Sequence, residues 1–244
     1  MPDPRILVHE RESVASTQDE LRALAEAGAP AFTAVRADVQ RAGRGRRGRR
    51  WEAPAGTALL VSILLRPARS AHELPVLSLA GGIAAAECAR TFGADAGLSW
   101  PNDVLCEGRK LAGVLAELGP DGSVLLGVGM NLCSRAGDLP PADRLVPTSL
   151  LLETGSAPSA PVALLALLGA LRPLADVFDR EGAPAIAARA RRLDALAGTA
   201  VELRLASGEI VQGEAAGIAD DGAILVRGAD GVRPYASGEV VRLT

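Results

Sequence analysis

Lysine is almost absent from this chain: a single residue, Lys110, stands against twenty-five arginines. The two cations differ in size, donor geometry and point-charge character. In an alanine- and arginine-rich sequence, ordinary surface lysines have become arginines. The one ammonium that persists marks Lys110 for chemistry in which a guanidinium is no substitute. Three cysteines, Cys88, Cys106 and Cys133, form no C-x-x-C pairing. That argues against a disulfide framework or a zinc site and leaves them as small buried hydrophobes. The two histidines, His9 and His72, lie far apart without ligand-like neighbours, so neither histidine catalysis nor a metal centre is expected. Missing too are an apolar N-terminal run of signal-peptide form and any uninterrupted apolar stretch of about 18 residues. The expected compartment is cytoplasmic, with no membrane partner. A formal net charge of −3 gives no reason to expect the surface as a whole to bind a polyanion.

Against that acidic background one stretch is basic. Residues 41–51, RAGRGRRGRRW, hold Arg41, Arg44, Arg46, Arg47, Arg49 and Arg50 among three glycines and close on Trp51. Glycine lets the backbone turn tightly and approach a ligand, and guanidinium groups present fixed forks of donors to carboxylate or phosphate. An anion is expected here. Gly43, Gly45 and Gly48 spell G-x-G-x-x-G, but the dinucleotide fingerprint needs a helix directly after the glycines. A strand-like TALLVSILL follows instead. An arginine-rich nucleic-acid segment would extend into a basic domain or a tail, whereas this run lies between two apolar segments. A plain solvated loop is the remaining alternative.

The length of 244 residues, with 48% apolar and 23% charged content, suits one large domain with a smaller appendage. Residues 5–10 read as a strand, followed by a helix capped by Ser16 or Thr17 and stopped by Gly28 and Pro30. Strands are expected over 32–40 and 57–67, the second buried on both faces, with the arginine loop between them. A buried helix spans 73–92 with Pro75 in its first turn. Three antiparallel strands over 98–106, 110–118 and 123–132 bring Asn102, Asp103, Lys110 and Asn131 near one face. The proline-rich segment 134–149 reads as a lid. Helices follow over 149–154, 162–181 with a kink at Pro173, and 183–193. After Gly198 the period changes to two, giving four strands over 201–205, 209–218, 223–228 and 239–243 as a small all-β barrel.

Four blocks, SVASTQDEL (13–21), VQRAGRGRRGRRW (39–51), WPNDVLCEGRKLAGVLAE (100–117) and GVGMNL (127–132), occur in order. Together they resemble the signature blocks of biotin protein ligases, and the terminal β segment is similar to the SH3-like C-terminal domain of that family. The resemblance implies an α+β fold: a central mixed β-sheet flanked by helices over 1–195, and a small C-terminal SH3-like β-barrel over 196–244. It further implies that the biotin carboxylate is joined to the α-phosphate of ATP, giving biotinyl-5′-adenylate and pyrophosphate. The acyl group then passes to a lysine of the biotin carboxyl carrier domain of an acyl-CoA carboxylase. Both partners of the first step are anions, the problem that glycine-backed arginines and an ammonium address.

By similarity, Ser16, Thr17, Gln18 and Gln40 hydrogen-bond the biotin ring, with Gln18 standing where asparagine is often found. Arg44, Gly45 and Arg46 lie along the ligand, Arg46 spanning carboxylate and phosphate, while Arg49 and Trp51 face the nucleotide. Lys110 bridges carboxylate and α-phosphate, and Asn102 and Asn131 contact the nucleotide or its metal-phosphate. Asp103 is implied to orient or deprotonate the carrier lysine. Arg41, Arg47 and Arg50 are left as a solvated face. Mg2+ arrives with ATP, held by phosphate and water, so no protein metal site is expected. The 134–149 loop has no tryptophan to stack on adenine. Because the catalytic pattern starts within twenty residues of Met1, the chain resembles the monofunctional class, with no DNA role, and whether it forms a homodimer is left open. Two rivals remain: a lipoate- or octanoate-attaching enzyme of related architecture, and a basic-loop RNA-binding module. The glycine-arginine block ending in Trp51 favours biotin.

Overall fold

The computed structural model describes residues 6–142 and 144–243, and within them not the side chains of Ala71 and His72. Strand β1 (Val8–Val14) lies at one edge of a seven-stranded sheet and pairs in parallel with β2 (Ala34–Gln40). The expected 5–10 strand is therefore shifted, and its first residue, Arg5, lies outside the described residues. The parallel connection runs through α1 (Thr17–Glu26), whose cap is Ser16: its hydroxyl accepts from the Gln18 backbone N–H at 3.3 Å. Leu21 and Ala25, one helical turn apart, are buried beneath it.

β3 (Ala58–Leu65) is buried at every position because both faces are covered, by α1 on one side and by α4 (Ala160–Glu181) on the other. Thus Leu59, Val61, Ile63 and Leu65 join the main core, and Leu64 joins a smaller cluster with Leu21, Val35 and Leu125. α2 (Leu77–Thr91) packs between α4 and the sheet. The turns before it, Pro75 included, are 3-10 over Ala71–Val76 rather than the α-helix expected from residue 73. α4 is long and apolar enough to cross a membrane by composition, yet it spends its apolar stripe (Leu164, Leu167, Leu168, Leu171, Leu174) on this core.

The run read as one strand over 98–106 is two. β4 (Ala96–Ser99) ends in a turn at Trp100–Asn102, with a cis Trp100–Pro101 peptide, and β5 (Asp103–Cys106) returns antiparallel to it. Pro101 has no N–H to give a ladder, which is why the strand breaks there. β6 (Arg109–Leu118) and β7 (Val124–Asn131) complete the order β1-β2-β3-β7-β6-β5-β4, antiparallel except at β1–β2. α3 (Leu150–Thr154) and α5 (Ala183–Arg191) follow.

The C-terminal sheet, order β11-β10-β9-β8-β12, has five strands: β8 (Ala200–Arg204), β9 (Ile210–Ile218), β10 (Ile224–Gly228), β11 (Gly231–Tyr235) and β12 (Glu239–Arg242). The sequence reading missed β11, which carries Pro234; a proline is tolerated because β11 is an edge strand. This sheet is tied to the larger body by Trp100 Nε1–H donating to the Gly222 carbonyl at 2.9 Å, and the segment leading into it is held by Leu98 exchanging backbone bonds with Leu193 and Ala195. Cys88 and Cys106 are buried, but Cys133 is exposed, against expectation.

Candidate functional site

The site lies on the α1 face of the sheet. The N-terminus of α1 supplies one end of it: the Thr17 N–H donates to Gln40 Oε1 at 2.8 Å, and the Thr17 hydroxyl lies 3.1 Å from that oxygen and 2.8 Å from Ser62 Oγ. With its carbonyl so held, Gln40 turns its amide nitrogen away from Thr17. Gln18 does the reverse. Its Nε2 donates to the Leu115 and Leu125 carbonyls at 3.3 and 3.2 Å, while its Oε1 is buried without a partner among the described residues. Buried acceptors are normally satisfied, so this oxygen calls for a donor on a ligand. The end is neutral, polar and directional.

The other end is cationic, and a bulge creates it. Between β5 and β6 the register slips, so that Leu111 and Ala112, consecutive in sequence, both enter the main core. Period two is broken there and Lys110 turns to the opposite face. Its Nζ lies 2.8 Å from Asp103 Oδ1, and Asp103, 2% exposed, also pairs with Arg144. Arg144, on the 134–149 segment, reaches the C-terminal sheet as well, donating to the Val240 carbonyl at 2.6 Å. Arg46 donates to Asn102 Oδ1 at 3.1 Å, and Asn102 in turn donates to the Val114 carbonyl at 2.9 Å. Burial, followed by the like charge of Arg47, lowers the Arg46 guanidinium from its ordinary value, with Asp103 opposing.

The arginine loop is a closed hairpin. Arg44 and Arg50 form a bridge, the Gly45 N–H donates to the Arg49 carbonyl at 2.8 Å, and the Trp51 N–H donates to the Gly43 carbonyl at 3.0 Å. A side chain at residue 43 would collide with the Trp51 carbonyl, so Gly43 is obligatory. Trp51 lies flat on the sheet over Gly113 and Gly129, which face each other across β6 and β7. Lys110 Nζ is 5.7 Å from its ring centroid, within cation–π range. The other arginines differ. Arg44 is 3.0 Å from both Asp19 and Glu117, and Arg47 and Arg49 pair with Glu239 of β12. Arg47 therefore ties the loop to the C-terminal sheet and is not the merely solvated residue expected. Arg41 and Arg50, both exposed, have no carboxylate partner among the described residues.

A cavity of about 230 Å³ joins the two ends. Every residue singled out from the sequence lines it: Ser16, Thr17, Gln18, Gln40, Arg44, Gly45, Arg46, Arg49, Trp51, Asn102, Asp103, Lys110 and Asn131. The 134–149 segment contributes Pro140, Pro141, Arg144, Leu145 and Pro147. Sequence reasoning missed Ser62 and Arg144 in this lining, and Glu239 behind it. Among the described residues no group of three histidine, cysteine or acidic side chains can hold a metal. The cavity suits a ligand with a polar neutral head and an anionic tail, the tail meeting a second anion among the cations.

The sequence profile of the biotin/lipoate A/B protein ligase family matches residues 11–132, and that of the biotin protein ligase C terminal domain matches 197–243. The chain is 34% identical over 209 residues to the bifunctional ligase/repressor BirA of Escherichia coli (strain K12), covering 84% of this chain and 64% of that one, so it spans just under two thirds of that relative's length. It is 34% identical over 238 residues to a biotin acetyl-CoA-carboxylase ligase of Mycobacterium tuberculosis, covering 93% and 86% of the two chains. With the corresponding ligase of Paracoccus denitrificans it shares 36% over 219 residues, 84% and 88% of each. A solved biotin protein ligase from Aquifex aeolicus, in complex with biotin and ATP, has a TM-score of 0.83 at 27% identity, covering 97% and 98% of the two chains.

Proposed function

The chain belongs to the biotin/lipoate A/B protein ligase family, and from that premise we propose that it is an ATP-dependent biotin protein ligase. The observation that carries the reading is one cavity with a neutral donor–acceptor end at Gln18 and Gln40 and a cationic end at Arg46 and Lys110. An oxygen of the biotin carboxylate attacks the α-phosphorus of ATP, the bond to the β-phosphate oxygen breaks, and pyrophosphate leaves. The ε-amine of a carrier lysine then attacks the acyl carbon of biotinyl-5′-adenylate, expelling AMP and losing a proton. The ureido ring, with both N–H donors and a carbonyl acceptor, answers the free Gln18 oxygen and the Gln40 amide. A lipoyl dithiolane has only weak sulfur acceptors and answers neither.

Ser16 and Thr17 complete the ring contacts, and Arg44 and Gly45 run along the ligand. Arg46 and Lys110 hold carboxylate and α-phosphate together and stabilise charge that grows as pyrophosphate departs. Arg49 and Trp51 lie toward the nucleotide, and Asn102 and Asn131 toward its phosphates. Asp103 holds Lys110 and Arg144 and orients the incoming amine. Mg2+ enters as part of the substrate MgATP, carried by phosphate oxygens. We assign catalysis to residues 1–195 and the small β domain to 196–244, a carrier domain of an acyl-CoA carboxylase as acceptor, and the cytoplasm as compartment. The test is biotin-dependent exchange of pyrophosphate into ATP, followed by transfer to a purified carrier domain with biotin or lipoate. Lipoate transfer without biotin transfer overturns the reading.

A further inference from the structure

Behind Lys110 and Asn131 lies a buried polar group for which the proposed mechanism has no use. Thr148, at the end of the lid segment, is 1% exposed, and each of its three polar groups bonds a different element. Its N–H donates to the Lys110 carbonyl at 2.8 Å, its own carbonyl accepts from Asn131 Nδ2 at 2.8 Å, and its hydroxyl donates to Glu153 Oε1. Two residues earlier, the Val146 carbonyl accepts the Lys110 N–H at 2.7 Å, so a short parallel bridge flanks Lys110 on the side away from β5. Glu153, its side chain 3% exposed, also accepts from Arg109 at 2.8 Å, the residue next to Lys110. The lid's ends are closed by the Ser149 hydroxyl, which donates to the Ser134 carbonyl at 2.6 Å.

A buried carboxylate is a poor device for stability, since well-packed apolar groups of similar volume serve as well or better. It does fix geometry, because removing either partner strands a buried charge or donor. Lys110 needs such fixing: it sits at a bulge, where one flank of the ordinary ladder is irregular. Resting on the ligase reading above, we propose that Thr148 and Glu153 are positioning residues for adenylate formation, clamping the lid's exit to β6 and β7 so that Lys110 and Asn131 face the phosphates together. Neither touches the cavity. They act through the residues that do.

The test uses the full chain and three substitutions: Thr148→Val, which keeps the shape and loses the hydroxyl; Thr148→Ser, which keeps the hydroxyl; and Glu153→Gln. For each, kcat and the KM for MgATP are measured in biotin-dependent pyrophosphate exchange, with biotin affinity by calorimetry and Tm alongside. Misplacing a catalytic group by a fraction of an ångström to 1 Å costs up to about a hundredfold. Thr148→Val and Glu153→Gln should therefore lose about tenfold or more in kcat per folded molecule, with a raised KM for MgATP. Biotin affinity should change less than kcat, and Thr148→Ser should stay near wild type. If Thr148→Val lowers Tm alone, with kcat and KM unchanged, the clamp is merely structural and the proposal fails. Absence of biotin-dependent exchange in the wild-type chain is a separate result, and it would refute the functional reading instead.

Discussion

Adding one methyl group at Gly129 tests how the floor of the cavity is built. A Cβ there would stand 2.7 Å from Cδ2 and 2.8 Å from Nε1 of the Trp51 ring, where ordinary contact begins at 3.4 Å. The indole must retreat by about 0.7 Å at Cδ2 and further at Cε2, the atom nearest the added carbon, because the sheet backbone beneath cannot yield in its place. Overpacking of this kind costs about 1–3 kcal/mol. The direction open to the ring is up, into the cavity, so much of the cost appears as lost ligand affinity. At about 1.4 kcal/mol per factor of ten, Gly129→Ala should weaken biotin binding by roughly 5- to 150-fold in calorimetry, with a change in tryptophan emission. Trp100 does not confuse the readout, since it is buried and held by Gly222 on the far side of the turn. Gly122→Ala, where a Cβ meets nothing within 4 Å but φ is +72° in the left-handed region, is the stability control. If Gly129→Ala binds biotin within twofold of wild type and its emission is unchanged, the ring does not lie on the ligand's floor.

Lys110→Arg keeps a positive charge but loses the compact ammonium; the chain should fold and lose about a hundredfold in adenylation. A lysine-directed acylating reagent should inactivate the wild type, with biotin plus ATP protecting, and full activity in the variant would end the assignment. At Glu239, burial pushes the carboxyl up, but Arg49, Arg144 and Arg47 outweigh it and leave it below 4.5. A depressed folded value means that its tie to the arginine loop is fully present above about 4.5 and is lost as pH falls through the lowered value. Pairs this exposed contribute up to about 1 kcal/mol, so Glu239→Gln should raise the KM for ATP up to about fivefold at neutral pH and be insensitive to acid where the wild type is not; an unchanged KM refutes the tie. Among the thiols, burial raises Cys88 to about 12 and Cys106 to about 11, the latter also beside Glu153. A thiol reagent at pH 8 should label exposed Cys133 alone in the native protein, as mass mapping of the labelled peptide would show.

Much of this was legible from local pattern. The apolar run of β3 announced burial on both faces, Ser16 and Thr17 offered a cap that Ser16 supplies, and the scarcity of lysine pointed to Lys110. What was not legible depended on partners far apart in the chain. Arg144 is one arginine among twenty-five, and nothing local says that it meets Asp103 on one side and Val240 on the other. Glu239 opens the last expected strand, and nothing local says that it meets Arg47 and Arg49. The bulge at Lys110 was hidden because KLAGVLAEL scans as a regular strand, and only tertiary packing of both Leu111 and Ala112 breaks the alternation. One usable signal was passed over: the chain has only two asparagines, Asn102 and Asn131, and both line the cavity. β11 escaped because Pro234 reads as a breaker unless the strand is known to be an edge.

The cations of the site are not equally ready for a ligand. Lys110 and Arg144 share Asp103, Arg47 and Arg49 share Glu239, and Arg44 is held by Asp19 and Glu117. An anion approaching any of these must compete with a carboxylate already in place, so the net gain is a difference between two ion pairs. Among the described residues the Arg46 guanidinium has the neutral Asn102 amide oxygen as its hydrogen-bond partner, and burial and like charges outweigh Asp103 in disfavouring its charged form. A carboxylate or phosphate that reaches Arg46 displaces no ion pair among the described residues and relieves a guanidinium that water no longer solvates well. The largest gain on binding therefore falls at Arg46, at the cationic end of the cavity, where two anions that repel one another have to meet.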